Sequence, residues 1–577
     1  MGTERRSFAA RPPDLTAWRT RIAATSLSAT RALYASCPLC APCPLCVPCL
    51  LCVPCLLWPA LWNFYPIVFA DTGTYLYQAM HRSMGWDRPP FYSLFIYPFH
   101  QGVMLWPVVV VQAVLAVLVL NQTRRAFGLS PAWLLALVAF LSGATWFPWI
   151  VSELMPDLFT PLLVLLLSLL VFTPARFPAW ERAAMTALAA FMIATQQSSV
   201  LLSVALLGFA LPLERVFARH VQAGSPDKLL RQRSMVMRER DAAKKISPQR
   251  HKDTKRHWWF HGPRFPLCLC VFVVIFAFSP VARHCALLTR WSRHRLRSAA
   301  AGMTPLLAPV LGIAALVLVN AIGHGRITLS PYGNVFLLAR VIYDGPGMGV
   351  LRRDCPEAGW RLCAYLDRFP PSSDDFLWRP DSPVMLAGGH KAVSAEADAI
   401  IRAALRAAPA EALRAAWRNA AEQLTRFESG DGLEPWPFQV GTLIERDFPP
   451  LEQAAYRRAR QQRDALEIPA PLADAHRAVA LGGIVLALAL MPLAWRRRHP
   501  AALFLAVALL TLPVSAAITG ALSTPHDRYQ SRVVWLPACL AFLTVPALFQ
   551  VQGRRPFPGF TPGRDGRMTG NHPMPPS

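Results

Sequence analysis

The chain predicts a mostly α-helical, polytopic transmembrane protein of about 10–11 membrane segments with an extracytoplasmic α-rich domain. Three observations carry that expectation. Of the 577 residues, 54% are hydrophobic and 16% charged, where a soluble domain carries nearer a quarter charged. The apolar residues fall in blocks of bilayer-spanning length. The basic residues behind a net charge of +25 crowd between those blocks and at both termini, as cytoplasmic flanks do. Such a charge would suggest nucleic acid for a soluble domain, but no RNA-binding motif accompanies it, so no nucleic-acid partner is expected.

Residues 1–36 are basic (Arg5, Arg6, Arg11, Arg19, Arg21 and Arg31 against Glu4 and Asp14) and read as a cytoplasmic tail, too arginine-scattered for an ordinary signal peptide. A module at 37–323 follows. It opens on a hexad repeat, CPLCAP-CPLCVP-CLLCVP-CLLW, over 37–58. Cys-x-x-Cys has zinc-ligand spacing. The run lacks a histidine and a folded excursion between knuckles, so a tandem expansion inside the first span also fits. Its prolines predict a kinked or partly unwound helix.

An outer loop at 63–101 precedes apolar blocks at 102–121, 132–150 and 158–173. Arg124-Arg125 marks the cytoplasmic side, which turns the 63–101 loop and the Glu153–Asp157 turn outward together. Residues 183–212 read as two short helices meeting at Gln196–Ser199. A basic cytoplasmic insertion covers 215–300, and its 215–264 part has fourteen Lys/Arg against four acids. Lipid headgroups would attract it; a solvated loop accounts for it too. Within the insertion, 265–282 reads as a re-entrant or interfacial segment, and a span follows at 303–322.

Residues 324–475 differ in kind, with twenty of the thirty-four acids and eighteen Lys/Arg. Alternating charge and an Ala-rich run at 395–427 predict amphipathic helices in an extracytoplasmic domain of about 150 residues, large enough for its own core. Cys355 and Cys363 lie in it, eight apart, and read as a local disulfide if the domain is outside. The C-terminal transmembrane segments occupy 476–550, with spans at 478–495, 501–522 and 533–550, and 551–577 is a cytoplasmic tail.

The outer face therefore gathers ionisable groups from distant segments. Asp71, Asp157 and Glu153 are candidate catalytic carboxylates, able to take a proton from an acceptor hydroxyl or amine. Arg88, Arg528 and Arg532 suit a phosphate, whose geometry guanidinium matches; His526 joins them as a substrate-binding candidate. Tyr75, Tyr92 and Trp86 could stack on sugar rings or seat at headgroup level. Each has a plainer reading. Asp71 could be the N-cap of a helix through Tyr75–Ala79, and Asp157 the cap of the 158–173 helix. Arg88 could snorkel at the interface, and His526 and Arg528 could be rim anchors. Asp71 with Asp157 is also a possible divalent-cation donor set, although no Asp-x-Asp pair stands in the first loop.

These features resemble the GT-C class of polytopic glycosyltransferases, which includes protein O-mannosyltransferases and lipid A aminoarabinose transferases. The resemblance lies in an acidic residue of the first outer loop, Asp71 in FADTGTYL; in Arg88–Tyr92 of DRPPFYSLF; and in Asp157 of SELMPDLF, with Glu153 as competitor. GNVFLLARVIYDGPG at 333–347 is closer to uncharacterised bacterial membrane proteins. The resemblance implies a polyprenyl-phosphate sugar donor, a glycan, lipid or protein acceptor, inversion at the sugar carbon, and Asp71 as base. It implies a place in the bacterial inner membrane with the site on the extracytoplasmic side. The Cys/Pro repeat and the 215–300 insertion depart from the class, and Gln196–Ser199 stands where relatives would carry a histidine. A lipid or polysaccharide transporter or flippase, and an envelope assembly protein without transferase chemistry, are the competing readings. The ionisable groups cluster at one rim and no paired repeat is visible, which favours interfacial chemistry over transport.

Overall fold

The computed structural model describes residues 47–223, 294–355 and 357–550. Outside them lie the basic tail 1–36, the first hexads of the Cys/Pro repeat, most of the 215–300 insertion with its 265–282 segment, and the 551–577 tail. The described residues are 78% helical, and no strand occurs among them. It is a mostly α polytopic membrane protein. Among the described residues six helices are long and apolar enough to cross a bilayer, and two shorter apolar helices accompany them.

The Cys/Pro segment forms α1 (Val47–Leu56), with Pro54 inside it, and α2 (Trp58–Asn63) after a break at Leu57. The 63–101 loop folds into two helices, α3 (Ala70–His81) and α4 (Phe91–His100). The long α5 (Trp106–Ala126) is followed by α6 (Ala132–Ala144) and α7 (Phe147–Ser152). The expected single block at 132–150 is thus broken, at an extended Thr145. A 3₁₀ turn at Pro156–Leu158 leads into α8 (Phe159–Phe172), which is buried along nearly its whole length. Then come α9 (Ala179–Thr195) and α10 (Gln197–Ala223), parted at Gln196; α10 carries Glu214 and Arg215 within its helix, where the sequence suggested a loop.

After α11 (His294–His324), the polar region forms α12 (Gly333–Asp344), α13 (Pro346–Asp354), α14 (Ser373–Trp378), α15 (Pro383–Leu386), α16 (Gly389–Ala407) and α17 (Pro409–Thr425). Farther on are α18 (Thr442–Asp447) and α19 (Pro450–Arg458). The chain closes with α20 (Ala470–Arg496), α21 (Ala501–Leu522), α22 (Asp527–Val534) and α23 (Leu536–Phe549).

Two apolar cores result. The larger unites the long helices, and within it Trp149 packs on Trp58, Trp62 and Trp146 at ring-centre distances of 5.4, 5.8 and 4.9 Å. The smaller, built from α12 to α16, centres on Leu338, Phe376, Val393 and Ile400. The structure joins Cys355 to Cys363 in a disulfide beside that smaller core.

The 324–475 region does not all belong to the smaller core. Leu433, Val440, Ile444 and Tyr456 pack into the larger one. Polar groups fasten this stretch to the outer loop. Buried Glu452 accepts from the Tyr65 hydroxyl at 2.5 Å and from the Leu105 amide at 2.9 Å. Gln461 bonds both the amide and the carbonyl of Val68, at 3.1 and 2.7 Å. A buried acid or amide so satisfied ties its partners to one geometry. The charge alternation that suggests a separate solvated domain therefore hides a second role, roofing the mouth of the bundle.

Candidate active site

The site begins with a backbone contact. Ile67 and Glu153 form an isolated parallel β-bridge: the Ile67 amide donates to Ser152 at 3.0 Å, and the Leu154 amide donates to Ile67 at 2.8 Å. This pairing aligns the first outer loop with the turn before α8. Thr72 reinforces it, donating its hydroxyl to the Leu154 carbonyl at 3.0 Å. Gln112 of α5 donates to the Glu153 carbonyl at 2.8 Å.

Asp71 is not the helix cap that its local sequence suggests. Phe69 is the N-cap of α3; its amide donates to the Thr72 hydroxyl at 2.9 Å, and Asp71 stands one turn-position further in. Its carboxylate is thereby free for other partners. Arg88 donates to it at 2.8 Å, and Arg528 lies 3.6 Å from its other oxygen. Burial pushes the Asp71 carboxyl up, but Arg88 and Arg528 together outweigh burial and hold it below its ordinary range.

Arg528 is fixed from several sides. Its amide donates to Asp431 at 2.9 Å, and its guanidinium lies 4.0 Å over the Phe69 ring and 5.1 Å from the Tyr529 ring. Its Nη1 is buried and has no hydrogen-bond partner among the described residues. An orphaned guanidinium nitrogen in a rigid cradle is a ready donor for an anionic oxygen.

Asp157 does not cap α8 either; it lies in the 3₁₀ turn, and the α8 N-cap is Leu158. Arg532 donates to Asp157 at 2.5 Å, and Gln196 donates to it at 3.4 Å. Gln196 in turn accepts from Thr160 at 3.0 Å. This pair is sealed, with side chains 7% and 4% exposed, whereas Asp71 and Arg528 retain 16% and 17%. Only the Asp71 pair is open to a ligand.

Glu153 differs from both aspartates. Among the described residues no hydrogen bond or ion pair reaches its carboxyl, and the side chain is partly exposed. Burial raises its pKa well above the ordinary carboxyl range; Asp157, Asp431 and Asp71 add to this, and Arg528 opposes it. The site therefore holds two carboxylates locked by arginine and one that retains affinity for a proton.

Other expected site residues fall elsewhere. Tyr75 and Tyr92 are core aromatics, buried edge to face at 4.9 Å, with the Tyr92 hydroxyl donating to Gln112 at 2.5 Å. They present no ring face to a sugar. Trp86 is stacked 3.9 Å from the His390 ring, in a group with Trp378 and Phe336. His526 turns away from Asp71 toward Asp374, 3.5 Å off, while its backbone is bonded by Gln423 through both amide and carbonyl. Trp86 and His526 thus join the site-bearing loops to the smaller core.

A cavity of about 440 Å³ lies along Thr74, Tyr77 and Gln78 of α3, closed by Trp86, Asp87 and Arg446; it does not include the three carboxylates. Among the described residues no group of three or more His, Cys, Asp or Glu is placed to hold a metal ion. With Asp71 and Asp157 each engaged by arginine, the residues present do not fit a divalent cation.

Gln196 and Asp431 were not picked out as site residues from sequence. The polar Gln196–Ser199 run inside an apolar block was a signal for the first, and the glycine-flanked Gly430-Asp431-Gly432 for the second. Comparison with protein-family models, curated proteins and solved structures finds no match.

Proposed function

We propose that this chain is a membrane glycosyltransferase, moving a sugar from a polyprenyl-phosphate-linked donor to a lipid, glycan or protein acceptor on the extracytoplasmic side of a bacterial inner membrane. The observation that carries the reading is the arrangement around Asp71. Arg88 and Arg528 converge on one partly open carboxylate, with the unpaired carboxyl of Glu153 within electrostatic reach.

In this reading the donor phosphate sits on Arg528, whose buried Nη1 takes one oxygen, and on Arg88. Asp71 balances the two guanidiniums and keeps them aimed when no lipid is bound. The acceptor oxygen forms its bond to the sugar C1 as the C1–O bond to phosphate breaks, and its proton passes to Glu153. The leaving polyprenyl phosphate carries away the electron pair, and the arginines stabilise its charge. A carboxyl of raised pKa is the better base, so the base role expected of Asp71 moves to Glu153. The charged groups stand at helix ends rather than in mid-span, which separates this reading from the transporter alternative.

The test is sugar transfer from a lipid-linked donor by the purified protein in proteoliposomes. Glu153→Gln is expected to lower turnover by about 10²–10⁴-fold while donor binding persists. Wild-type turnover in that variant would remove Glu153 from the mechanism.

A further inference from the structure

We infer that the non-spanning segment 409–458 rests on the phospholipid bilayer through two apolar contacts, one on α17 and one at the start of α19. The first is a stripe of Leu413, Trp417 and Leu424 along α17, with Leu413 and Trp417 73% and 77% exposed. The opposite face of α17, Ala415, Asn419 and Gln423, is buried, and α17 packs along the membrane-spanning α21. The approach is close: a Cβ at Gly520 of α21 would meet the Asn419 carbonyl at 2.6 Å. Arg414 and Arg418 flank the stripe. A helix that is buried on one face, apolar on a flank and basic beside it has the pattern of one lying in the membrane interface.

The second contact is Leu451, 80% exposed. Its neighbour Glu452 accepts from the Leu105 amide at 2.9 Å, which fixes the start of α19 against the turn before the membrane-spanning α5, where Val103 and Met104 are also exposed. Leu522, at the end of α21, is likewise exposed. Both patches therefore lie on segments fastened to a spanning helix, the first to α21 and the second at the start of α5. The occupant is read as a bilayer because α17 packs on a spanning helix and leaves its apolar stripe uncovered, where acyl chains surround that helix.

Lipid photolabelling tests this without any variant. The full chain would be reconstituted in nanodiscs of phosphatidylcholine and phosphatidylglycerol, with a fraction of phosphatidylcholine carrying a diazirine on its acyl chain. After irradiation, adducts are expected on the peptides containing Leu413–Trp417 and Leu451, well above those on the polar α16. Adducts confined to the spanning helices would overturn the inference, as would cross-links joining two copies of the chain through these residues when the lipid is unlabelled and a bifunctional diazirine reagent is used instead.

Discussion

Arg532 donates to Asp157 at 2.5 Å from a side chain almost wholly withdrawn from solvent. The two residues come from opposite ends of the chain, and the pair clamps α22 to the turn before α8. Removing one partner leaves an uncompensated buried charge, which costs about 3–5 kcal/mol, whereas replacing both with apolar residues is often neutral. Asp157→Ala is therefore expected to lower the unfolding temperature in detergent sharply, and Asp157→Leu with Arg532→Met to recover much of the loss. Equal losses in single and double variants would show that the pair is not what holds α22.

The raised Glu153 carboxyl fixes the sign of two pH effects. Below its elevated pKa the group carries a proton and cannot accept another. Transfer should therefore fall on the acid side at a higher pH than an ordinary carboxylate would give.

Stability runs the other way. The folded chain binds this proton more tightly than the unfolded chain does, so stability falls as pH rises from the unfolded pKa through the folded one. Glu153→Gln has no such loss and should unfold at a higher temperature than wild type in alkaline buffer. Thermal unfolding across pH checks this; parallel curves for the two proteins would contradict it. Burial is the largest cause of the shift; Asp157, Asp431 and Asp71 add to it and Arg528 opposes it.

The helical class and most element positions were legible because spanning blocks announce themselves by length and composition: the block at 501–522 coincides with α21. The site was legible in its members more than in its contacts. Asp71, Arg88, Arg528, Asp157 and Arg532 could be named from their placement in outer segments, but not who pairs with whom. Local sequence made Asp71 and Asp157 look like caps because an acid before a helix is favourable there. Phe69 and Leu158 take the N-cap positions instead, and the Ile67–Glu153 bridge that aligns the two segments is signalled by no periodicity. Nothing in the local sequence marks Glu452 and Gln461 as buried, and their burial follows from contacts hundreds of residues away.

Gly73 packs directly against the backbone of the roofing segment. A Cβ there would stand 1.9 Å from the Gln439 carbonyl oxygen, a backbone atom with no rotamer to give. Gly73→Ala should destabilise by about 1–3 kcal/mol or more, seen as a lower unfolding temperature and faster proteolysis within 433–447. A variant indistinguishable from wild type would mean that the roof shifts freely.

The Cys355–Cys363 disulfide bears on sidedness, because such bonds persist in oxidising compartments. In intact cells, a membrane-impermeant maleimide is expected to label these two cysteines only after reduction, without permeabilisation. Labelling that requires permeabilisation, and no reductant, would place the loop in the cytoplasm.

In the proposed reaction Arg88 and Arg528 hold the phosphate of a polyprenyl lipid, and equilibrium binding of a polyprenyl phosphate to the purified protein reads that contact without turnover. Arg528→Gln should weaken binding at least tenfold, since a charge-assisted hydrogen bond is worth about 1.5–3 kcal/mol, while Glu153→Gln should leave it unchanged. Undiminished binding by Arg528→Gln and by Arg88→Gln would contradict the account.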